Sequence, residues 1–367
     1  MKIIQLVTSR KSRGAEISAQ RLSEKLIQLG HQVWFLGLYE HPENLCVEGG
    51  VNLDLTEKKS SLNVKLIFSI KKLIKEIKPD IVQANGSDTF KYASLAMTGS
   101  NKPKLIYRNI SVFSYWINER PLIKWIYGLL AKRIDHFVSV GHYASADLQQ
   151  TLQLSTKKCS IIKRGFDTAM FDKENSRHQL IGKWGLSNDD FIIVQVGSLS
   201  LEKNVTFSLD VLAELKKEIS QVKLLLVGEG PQEAVLRSKS EALAISRQVV
   251  FCGYQKEVRE ILAGADLLLL TSLVEGVPGV VVEAAIQDTP TVAIKIPGTE
   301  ELISDGSSGV LIDSYDTNQF ADKILSVQRD DLLRLNLANQ ARRQAIQAHD
   351  EAVNTKQFEE LYKRLVN

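Results

Sequence analysis

The sequence predicts two doubly wound α/β domains, and three observations lead to this fold class. The chain has 367 residues, more than a single hydrophobic core usually holds. Short apolar runs alternate with amphipathic stretches, as in parallel sheets covered by helices. Charge also changes sign along the chain: residues 1–165 carry 25 basic and 13 acidic side chains, whereas the remainder carries 21 and 30.

In the first half, six apolar runs are predicted to be strands. They are KIIQLV, QVWFLGL, PDIVQAN, PKLIYRNI, HFVSV and KCSIIK. Two stretches with helical spacing lie between them, EISAQRLSEKLIQLG, which ends at Gly30, and LNVKLIFSIKKLIKEIK. The first half therefore reads as a parallel sheet with helical crossovers.

The second half repeats this alternation. Its predicted strands are DFIIVQVG, VKLLLVG, QVVFCG, ADLLLLTS and TVAIKI, and its clearest helices are VTFSLDVLAELKKEI and QEAVLRSKSEAL. The stretch GVVVEAA is rich in β-branched residues and by propensity alone is compatible with a strand. We predict a helix starting near Pro278, because parallel strands need a crossover and proline is favoured at a first helical position.

The domains are expected to span residues 1–165 and 166–345. Residues 163–190 are mostly polar and interrupted by glycines, and are interpreted as the connection between the domains. Ligands of doubly wound folds bind beyond the carboxyl ends of the strands, so a cleft between the domains is the expected binding region.

Several classes of protein are excluded by composition. No apolar run approaches the ~18 residues of a membrane-spanning helix, and MKIIQLVTSR is read as a first strand rather than a signal peptide. Three scattered cysteines give neither a disulfide framework nor a metal-ligand spacing, so a reducing cytoplasm is expected. No nucleic-acid recognition motif is present.

Candidate binding groups follow predicted strands. GSLSLEKN places Lys203 between a strand and a helix, SLVEGVPG places Glu275 similarly, and SRGAEIS puts Gly14 where a strand meets a helix. Helix N-termini bind phosphate, lysine adds a point charge, and a carboxylate can hold ribose hydroxyls. Together these groups predict a nucleotide-sugar site. Taken singly, Lys203 is compatible with a solvated charge, and Glu283 with a surface residue.

The second half resembles the nucleotide-sugar domain of family 4 glycosyltransferases, which have the GT-B fold. The similarity runs through VGSLSLEKN, LVGEGP and FCGYQKEVREILAGADLLLLTSLVEGVPGVVVEA, in which Glu275 and Glu283 are separated by seven residues. The first half is similar more loosely, through SRGAEISAQRLSEKLIQLGHQV, PDIVQANG and SIIKRGFDTAMFD. The resemblance implies retaining, metal-independent hexosyl transfer from a nucleoside-diphosphate sugar, with no further cofactor. The absence of an Asp-x-Asp triplet agrees with this.

The resemblance also implies roles for individual residues. Glu283 would bind ribose hydroxyls, Glu275 would contact the transferred sugar, and Lys203 with backbone amides would offset the leaving-group charge. Glu275 and Lys203 are thus the candidate catalytic residues. Tyr254 lies where the family seats the base, although a packed ring is an equal interpretation. The donor-binding set is Gly14, Arg164, Gly197, Ser198, Lys203, Tyr254, Gly276, Val277, Pro278, Gly279, Val280 and Glu283.

The sequence departs from the family pattern at three places. Ser198 stands where an arginine is common, and Arg164 is the hypothetical replacement. Pro297 replaces the first of two glycines in IPGTEE. The stretch LIYRNISVF has Arg108 and Asn109 where the family often has a histidine.

The acceptor is expected to be a glycan or lipid-linked glycan of the cell surface, as the resemblance implies. Residues 62–78 and 111–135 combine lysines and arginines with aromatic and aliphatic side chains, which suits helices lying on an anionic membrane surface. Ordinary amphipathic helices packed on a sheet are the alternative. The expected location is cytoplasmic, peripheral on the inner face of the cell membrane.

Two other functions stay open. A nucleotide-sugar epimerase of the GT-B fold would bind the same donor without a separate acceptor. A catalytically weak partner subunit would keep the fold for assembly, which the replaced arginine and histidine favour. The resemblance further implies that a C-terminal helix, about 346–367, packs back on the first domain.

Overall fold

The computed structural model describes residues 1–42, 44–56, 63–97, 102–117 and 120–367, with Ser87 described by its backbone alone. The chain divides into two compact units. Unit 1 comprises Met1–Gly165 together with Glu351–Asn367, and unit 2 comprises Phe166–Asp350. No helix among the described residues combines the length and the apolar character that a membrane crossing requires.

Unit 1 is built on a parallel sheet of seven strands within the described residues, in the order β3-β2-β1-β4-β5-β6-β7. The strands are β1 (Lys2–Ser9), β2 (Gln32–Tyr39), β3 (Val51–Asp54), β4 (Ile81–Asn85), β5 (Lys104–Asn109), β6 (His136–Ser139) and β7 (Cys159–Ile161). Every paired register in this sheet is parallel. All carboxyl ends therefore lie at one edge.

Helices cover both faces of this sheet. They are α1 (Gly14–Gln28), α2 (Val64–Ile77), α3 (Ser87–Ala96), α4 (Phe113–Ile117), α5 (Pro121–Ala131), α6 (His142–Leu152) and α15 (Glu351–Val366). One core forms around the aromatic cluster of Phe90, Tyr107 and Phe137. The core on the other face joins α1 and α15 to the sheet through Leu22, Phe358 and neighbouring side chains.

Unit 2 has a parallel sheet of six strands, in the order β10-β9-β8-β11-β12-β13. They are β8 (Phe191–Val196), β9 (Val222–Val227), β10 (Val249–Gly253), β11 (Leu267–Leu270), β12 (Thr291–Ile294) and β13 (Val310–Ile312). The strands are almost continuously apolar, as expected of a sheet buried on both faces. Burying one leucine of this kind stabilises the fold by ~1.5–3 kcal/mol.

The helices of unit 2 form two layers. They are α7 (Lys173–Trp184), α8 (Val205–Glu218), α9 (Glu233–Ala242), α10 (Val258–Gly264), α11 (Gly279–Ile286), α12 (Pro297–Glu300), α13 (Thr317–Arg329) and α14 (Asp331–His349). Helices α8, α9 and α13 contribute to the core on one face. Helices α7, α10 and α11 contribute to the core on the other.

The sequence-based prediction of two doubly wound α/β units is confirmed, and so is the helix over GVVVEAA. Pro278 is the N-cap residue of α11, with φ −70° and an extended ψ of 105°. The connection between parallel strands β11 and β12 thus outweighs the β propensity of Val280, Val281 and Val282.

The boundary between the two units, after Gly165, does lie within residues 163–190, but most of this segment is not a connection. Twelve of these residues form α7, which begins after Asp172, whose side chain accepts a hydrogen bond from the Asn175 N–H at 2.7 Å. Only Ser176 and Leu180 of this helix are buried. A helix with so few buried positions has a weak periodic pattern, so its sequence resembles that of a polar linker.

The sequence does not predict two of the strands, β3 and β13. Each lies at an edge of its sheet, and they span four and three residues. Runs this short carry little alternation, so the sequence gives a weak signal.

The strand orders locate a topological switch point in each sheet. In unit 1, β1 pairs with β2 on one side and β4 on the other. In unit 2, β8 pairs with β9 on one side and with β11 on the other. Chain connections thus run to opposite sides of β1 in unit 1 and of β8 in unit 2. Doubly wound folds bind ligands in the crevice at the carboxyl ends of the strands at such a point.

The close packing of α10 on α7 gives a stability prediction. A Cβ on Gly264 would lie 2.8 Å from the Leu180 Cδ1 atom and from the Ser176 backbone. Gly264→Ala is expected to lower the free energy of unfolding of unit 2 by ~1–3 kcal/mol through overpacking. Urea denaturation measures this change.

Gly182→Ala is the matched control, because this α7 residue has nothing within 4 Å of the added Cβ. The substitution is expected to raise the free energy of unfolding by ~0.5–1 kcal/mol through helix propensity. Equal effects of the two alanines would contradict the packing argument.

Candidate active site

The turn after β8 positions Lys203. Gly197 leaves the strand at φ +148°, a conformation that favours glycine, and Leu201–Lys203 form one 3₁₀ turn before α8. The stem of Lys203 packs on this glycine: a Cβ there would lie 3.3 Å from the Lys203 Cε atom. Ser198 lies in the same turn, with its Oγ 2.8 Å from that of Ser200.

The turn after β11 brings Glu275 to the same crevice. The Lys203 Nζ atom lies 2.6 Å from the Glu275 Oε1 atom, and the two side chains are 24% and 12% exposed. Because β8 and β11 are the strands of the switch point, this ion pair joins two predicted site residues where the fold is expected to bind ligands.

Buried polar side chains below the ion pair hold the two turns together. The Gln195 Nε2 atom donates to the Lys203 carbonyl at 3.2 Å and to the Thr271 Oγ1 atom at 3.1 Å. The Leu273 N–H donates to the Glu202 carbonyl at 2.8 Å. The pair is therefore fixed by backbone contacts on both sides, and not only by its charges.

Close backbone approach explains the glycines around the crevice. A Cβ on Gly298 would lie 2.6 Å from the carbonyl oxygens of Glu275 and Gly276. Pro297, by contrast, occupies the first position of α12, where its fixed φ suits the helix. The departure at Pro297 thus leaves intact the glycine on which the Glu275 loop packs.

The remaining residues of the Glu275 loop lead into α11. Gly276 and Pro278 are buried, whereas Val277 is half-buried. Gly279 and Val280 open the helix, so their N–H groups belong to its N-terminal turn. Glu283 is half-buried on the second turn of α11.

Tyr254 follows strand β10, and the residue is 41% exposed. Its N–H donates to the Glu229 Oε1 atom at 3.4 Å, and this carboxylate belongs to the turn after β9. The packed-ring alternative is therefore not supported by burial, while contact of Tyr254 with a base stays a prediction.

In unit 1, two predicted donor residues come together. Gly14 begins α1, and a Cβ there would lie 3.4 Å from an Nη1 atom of Arg164. The guanidinium of Arg164 thus lies beside the turn that follows β1, the strand of the switch point in this unit.

The stretch LIYRNISVF places its polar residues in structural positions. Arg108 and Asn109 are buried at the end of β5, and the Asn109 Nδ2 atom donates to the Ala144 carbonyl at 3.0 Å. Two histidines of unit 1 are also buried with partners: His31 with Glu359, and His136 with Ser160, both at 3.0 Å. Burial, with the charges of Arg364 and Lys158, lowers the pKa of His136 to about 4.

Sequence reasoning missed the residues that support the pair. Gln195 occupies a strand position and Thr271 follows ADLLLL, so either could have been noticed as a polar residue at an apolar strand end. Nothing in the sequence indicates that they contact each other, because 76 positions separate them.

The crevice in unit 2 thus carries an ammonium and a carboxylate, with helix N–H groups and Glu283 on the following helix. Such a set can bind a ligand that combines phosphates with hydroxyl groups. The described residues contain no cluster of three or more metal-ligating side chains.

Comparison with known proteins defines the class. The crystal structure of Anabaena Alr3699/HepE in complex with UDP and glucose superposes with a TM-score of 0.87 at 21% identity, covering 99% of this chain and 100% of that one. Together with the two parallel sheets, this similarity assigns the molecule to the GT-B fold, as the sequence predicts.

Family models then identify the family. The model of the glycosyl transferases group 1 matches residues 176–344, and the model of glycosyltransferase family 4 matches residues 12–170. The chain belongs to the family 4 glycosyltransferases.

Curated relatives match over a smaller part of the chain. EpsD of Bacillus subtilis (strain 168) is 28% identical over 251 residues, which are 67% of this chain and 64% of EpsD. The Escherichia coli UDP-Gal:alpha-D-GlcNAc-diphosphoundecaprenol alpha-1,3-galactosyltransferase is 25% identical over 289 residues, 76% of this chain and 73% of that protein. The chain thus aligns with slightly less than two thirds of EpsD.

The half-buried ion pair gives a prediction about unit 2 alone. In a double-mutant cycle with Lys203→Met and Glu275→Gln, we expect a coupling free energy of ~1–2 kcal/mol, because solvent screens this pair only partly. Urea unfolding of the wild type, both single variants and the double variant measures it.

The ion pair of Arg329 with Glu218 is the matched control. Its atoms lie 3.1 Å apart, but its side chains are 61% and 56% exposed. A coupling of ~0–0.5 kcal/mol is expected there. A Lys203–Glu275 coupling no larger than that of the control would contradict the prediction.

Proposed function

We propose that this protein is a retaining glycosyltransferase that transfers a hexose from a nucleoside-diphosphate sugar to a glycan or lipid-linked acceptor in cell-surface polysaccharide synthesis. The observation that carries the proposal is the Lys203–Glu275 pair at the switch point of unit 2, with Glu283 on the next helix. The complex of HepE with UDP and glucose and the undecaprenol-linked acceptor in the name of the E. coli relative support the donor and acceptor classes.

In this proposal Lys203 offsets the charge of the leaving diphosphate. An ammonium group has three N–H donors, so Lys203 can keep its bond to Glu275 and still donate to phosphate oxygens. The N–H groups at the start of α11 add donors and the positive end of the helix dipole. No step assigned to these residues requires a metal ion.

Glu275 and Glu283 bind the hydroxyl groups of the donor. Glu275, held by Lys203, accepts from hydroxyls of the transferred sugar, and Glu283 accepts from the ribose hydroxyls. Glu283 lies four positions after Gly279, the first residue of α11, which is about 6 Å along the helix axis at 1.5 Å per residue. The diphosphate would lie between the two carboxylates. Contributions of Gly14 and Arg164 stay predictions from the sequence.

We also propose that unit 1 attaches to an anionic membrane surface, through residues 62–78 and 111–135. Residues 62, 118 and 119 lie outside the described part of the chain. Helix α5 exposes a stripe with the i, i+3, i+4, i+7 spacing of a helix face, Leu122, Trp125, Ile126 and Leu129. Exposed Lys124 and Lys132 accompany it, as in helices that lie in a membrane interface.

Donor binding tests the proposed site. Thermal shifts with a panel of nucleoside-diphosphate sugars should single out one donor that raises the melting temperature of the wild type by mass action. Glu283→Ala is expected to lose that shift, because ribose binding depends on its carboxylate. Glu241→Ala, an exposed glutamate on α9, should keep it.

The outcomes separate the competing functions. If no donor shifts the wild type, the partner-subunit alternative replaces this proposal. If a donor binds and is converted to another nucleotide sugar without an acceptor, the epimerase alternative replaces it.

The same donor titration on Arg164→Ala tests that residue, and an unchanged affinity removes it from the donor site. Anomeric configuration of the product, measured by NMR in EDTA, tests retention and metal independence together.

Membrane attachment has its own test. Leu122→Ser with Trp125→Ser should reduce co-sedimentation with liposomes containing anionic lipid about tenfold at low salt, because the apolar stripe supplies the buried area. Leu332→Ser with Leu335→Ser, an equally spaced exposed pair on α14, is the control and should have no effect. A wild type that does not pellet with anionic liposomes would contradict the proposal.

A further inference from the structure

A small, partly open cavity lies in unit 1, on the sheet face covered by α1 and α15. Its volume is about 20 Å³, enough for one particle of the size of a water molecule. The polar side chains around it are Ser18 and Arg21 of α1, Arg108 of β5, and Glu351, Asn354 and Thr355 of α15. None of these residues belongs to the proposed donor site.

Arg108 is the unusual member of this group. Its side chain is buried, with a relative exposure of 2%, and its guanidinium lies 5.1 Å from the centre of the Phe358 ring. Among the described residues, its Nε and Nη1 atoms have no hydrogen-bond partner. A buried charge without a partner costs several kcal/mol, so something must compensate it.

The electrostatic surroundings of Arg108 are positive. Burial and the nearby charge of Arg164 together lower the pKa of Arg108 to about 10, against the opposing effect of Tyr362. The guanidinium therefore still carries its proton at neutral pH. Glu351 is the acidic residue at the cavity, and its Oε2 atom lies 3.5 Å from the Lys25 ammonium.

The buried polar atoms without a partner at the cavity are mostly donors. Four buried nitrogen atoms have no partner within the described chain: Nη1 of Arg21, Nε and Nη1 of Arg108, and Nδ2 of Asn354. The one buried acceptor of this kind is Oε1 of Glu351. A water molecule accepts about two hydrogen bonds and brings two donors of its own, whereas a halide ion only accepts.

We propose that this cavity is a binding site for a small monatomic anion, with chloride as the physiological occupant. The anion would accept hydrogen bonds from Arg108, Arg21 and Asn354, and would join β5, α1 and α15. Because Gly165 and Glu351, the residues at which unit 1 ends and resumes, both line the cavity, the anion would stabilise the attachment of α15. This inference does not depend on the proposed transferase activity.

Melting temperature as a function of the anion tests the site. The full chain is compared in sodium chloride and in sodium gluconate at equal ionic strength, so that general screening is the same. Chloride should raise the melting temperature in a saturable way, by roughly 5 °C at a hundredfold excess over Kd. Equal melting temperatures in the two salts would overturn the proposal.

Two variants locate the effect. Arg108→Gln removes the buried charge and should abolish the chloride-specific rise. Arg364→Gln, which removes an exposed arginine from the same helix α15, should retain it. A rise that survives in Arg108→Gln would show that chloride acts elsewhere, and would overturn the assignment.

Crystals of the wild type grown with bromide give a readout that does not depend on a variant folding. An anomalous peak beside Arg108 and Asn354 is expected. A cavity without anomalous signal would identify a bound water instead, and would overturn the proposal even if Arg108→Gln failed to fold.

Discussion

The candidate site depends on one constraint, which is that every strand pair within each sheet is parallel. Parallel pairing brings the carboxyl ends of β8 and β11 to one edge, although the chain visits two other strands between them. Lys203 and Glu275, 72 positions apart, then form an ion pair within unit 2. Reversing either strand would move one of the two charges to the opposite edge of the sheet. The ion pair therefore requires the parallel topology as well as the two side chains.

Much of the fold could be predicted from the sequence, because strands buried on both faces consist of nearly continuous apolar residues. The short edge strands β3 and β13 and the polar helix α7 could not, since each has too few apolar positions to show a period. For the site, residue types and spacing pointed to Lys203, Glu275 and Glu283. The contacts that support them, from Gln195 to Thr271 and from Gly298 to the Glu275 loop, exist only once distant segments meet.

The three departures from the family pattern differ in their structural consequences. Pro297 is compatible with the first position of α12, and the neighbouring Gly298 keeps the space that the Glu275 and Gly276 backbone occupies. Ser198 is bonded to Ser200 and contributes no positive charge. In LIYRNISVF, Arg108 and Asn109 are buried within unit 1, so these side chains serve its interior. The sequence alone could not distinguish a replaced catalytic residue from a buried one.

Unit 1 is discontinuous in sequence, and this affects the order in which the chain can fold during synthesis. Its core includes Phe358, Leu361 and Tyr362, and the Tyr362 hydroxyl donates to the Gln83 Oε1 atom at 2.6 Å. Unit 2 is one contiguous segment and ends before these residues. On the ribosome, unit 2 can therefore complete its core while unit 1 still waits for its last helix. The usual order, in which the N-terminal domain matures first, is reversed. Until then the face of the sheet around Ile3, Ile106 and Val138 is covered by α1 but not by α15, which leaves apolar surface for a chaperone to shield.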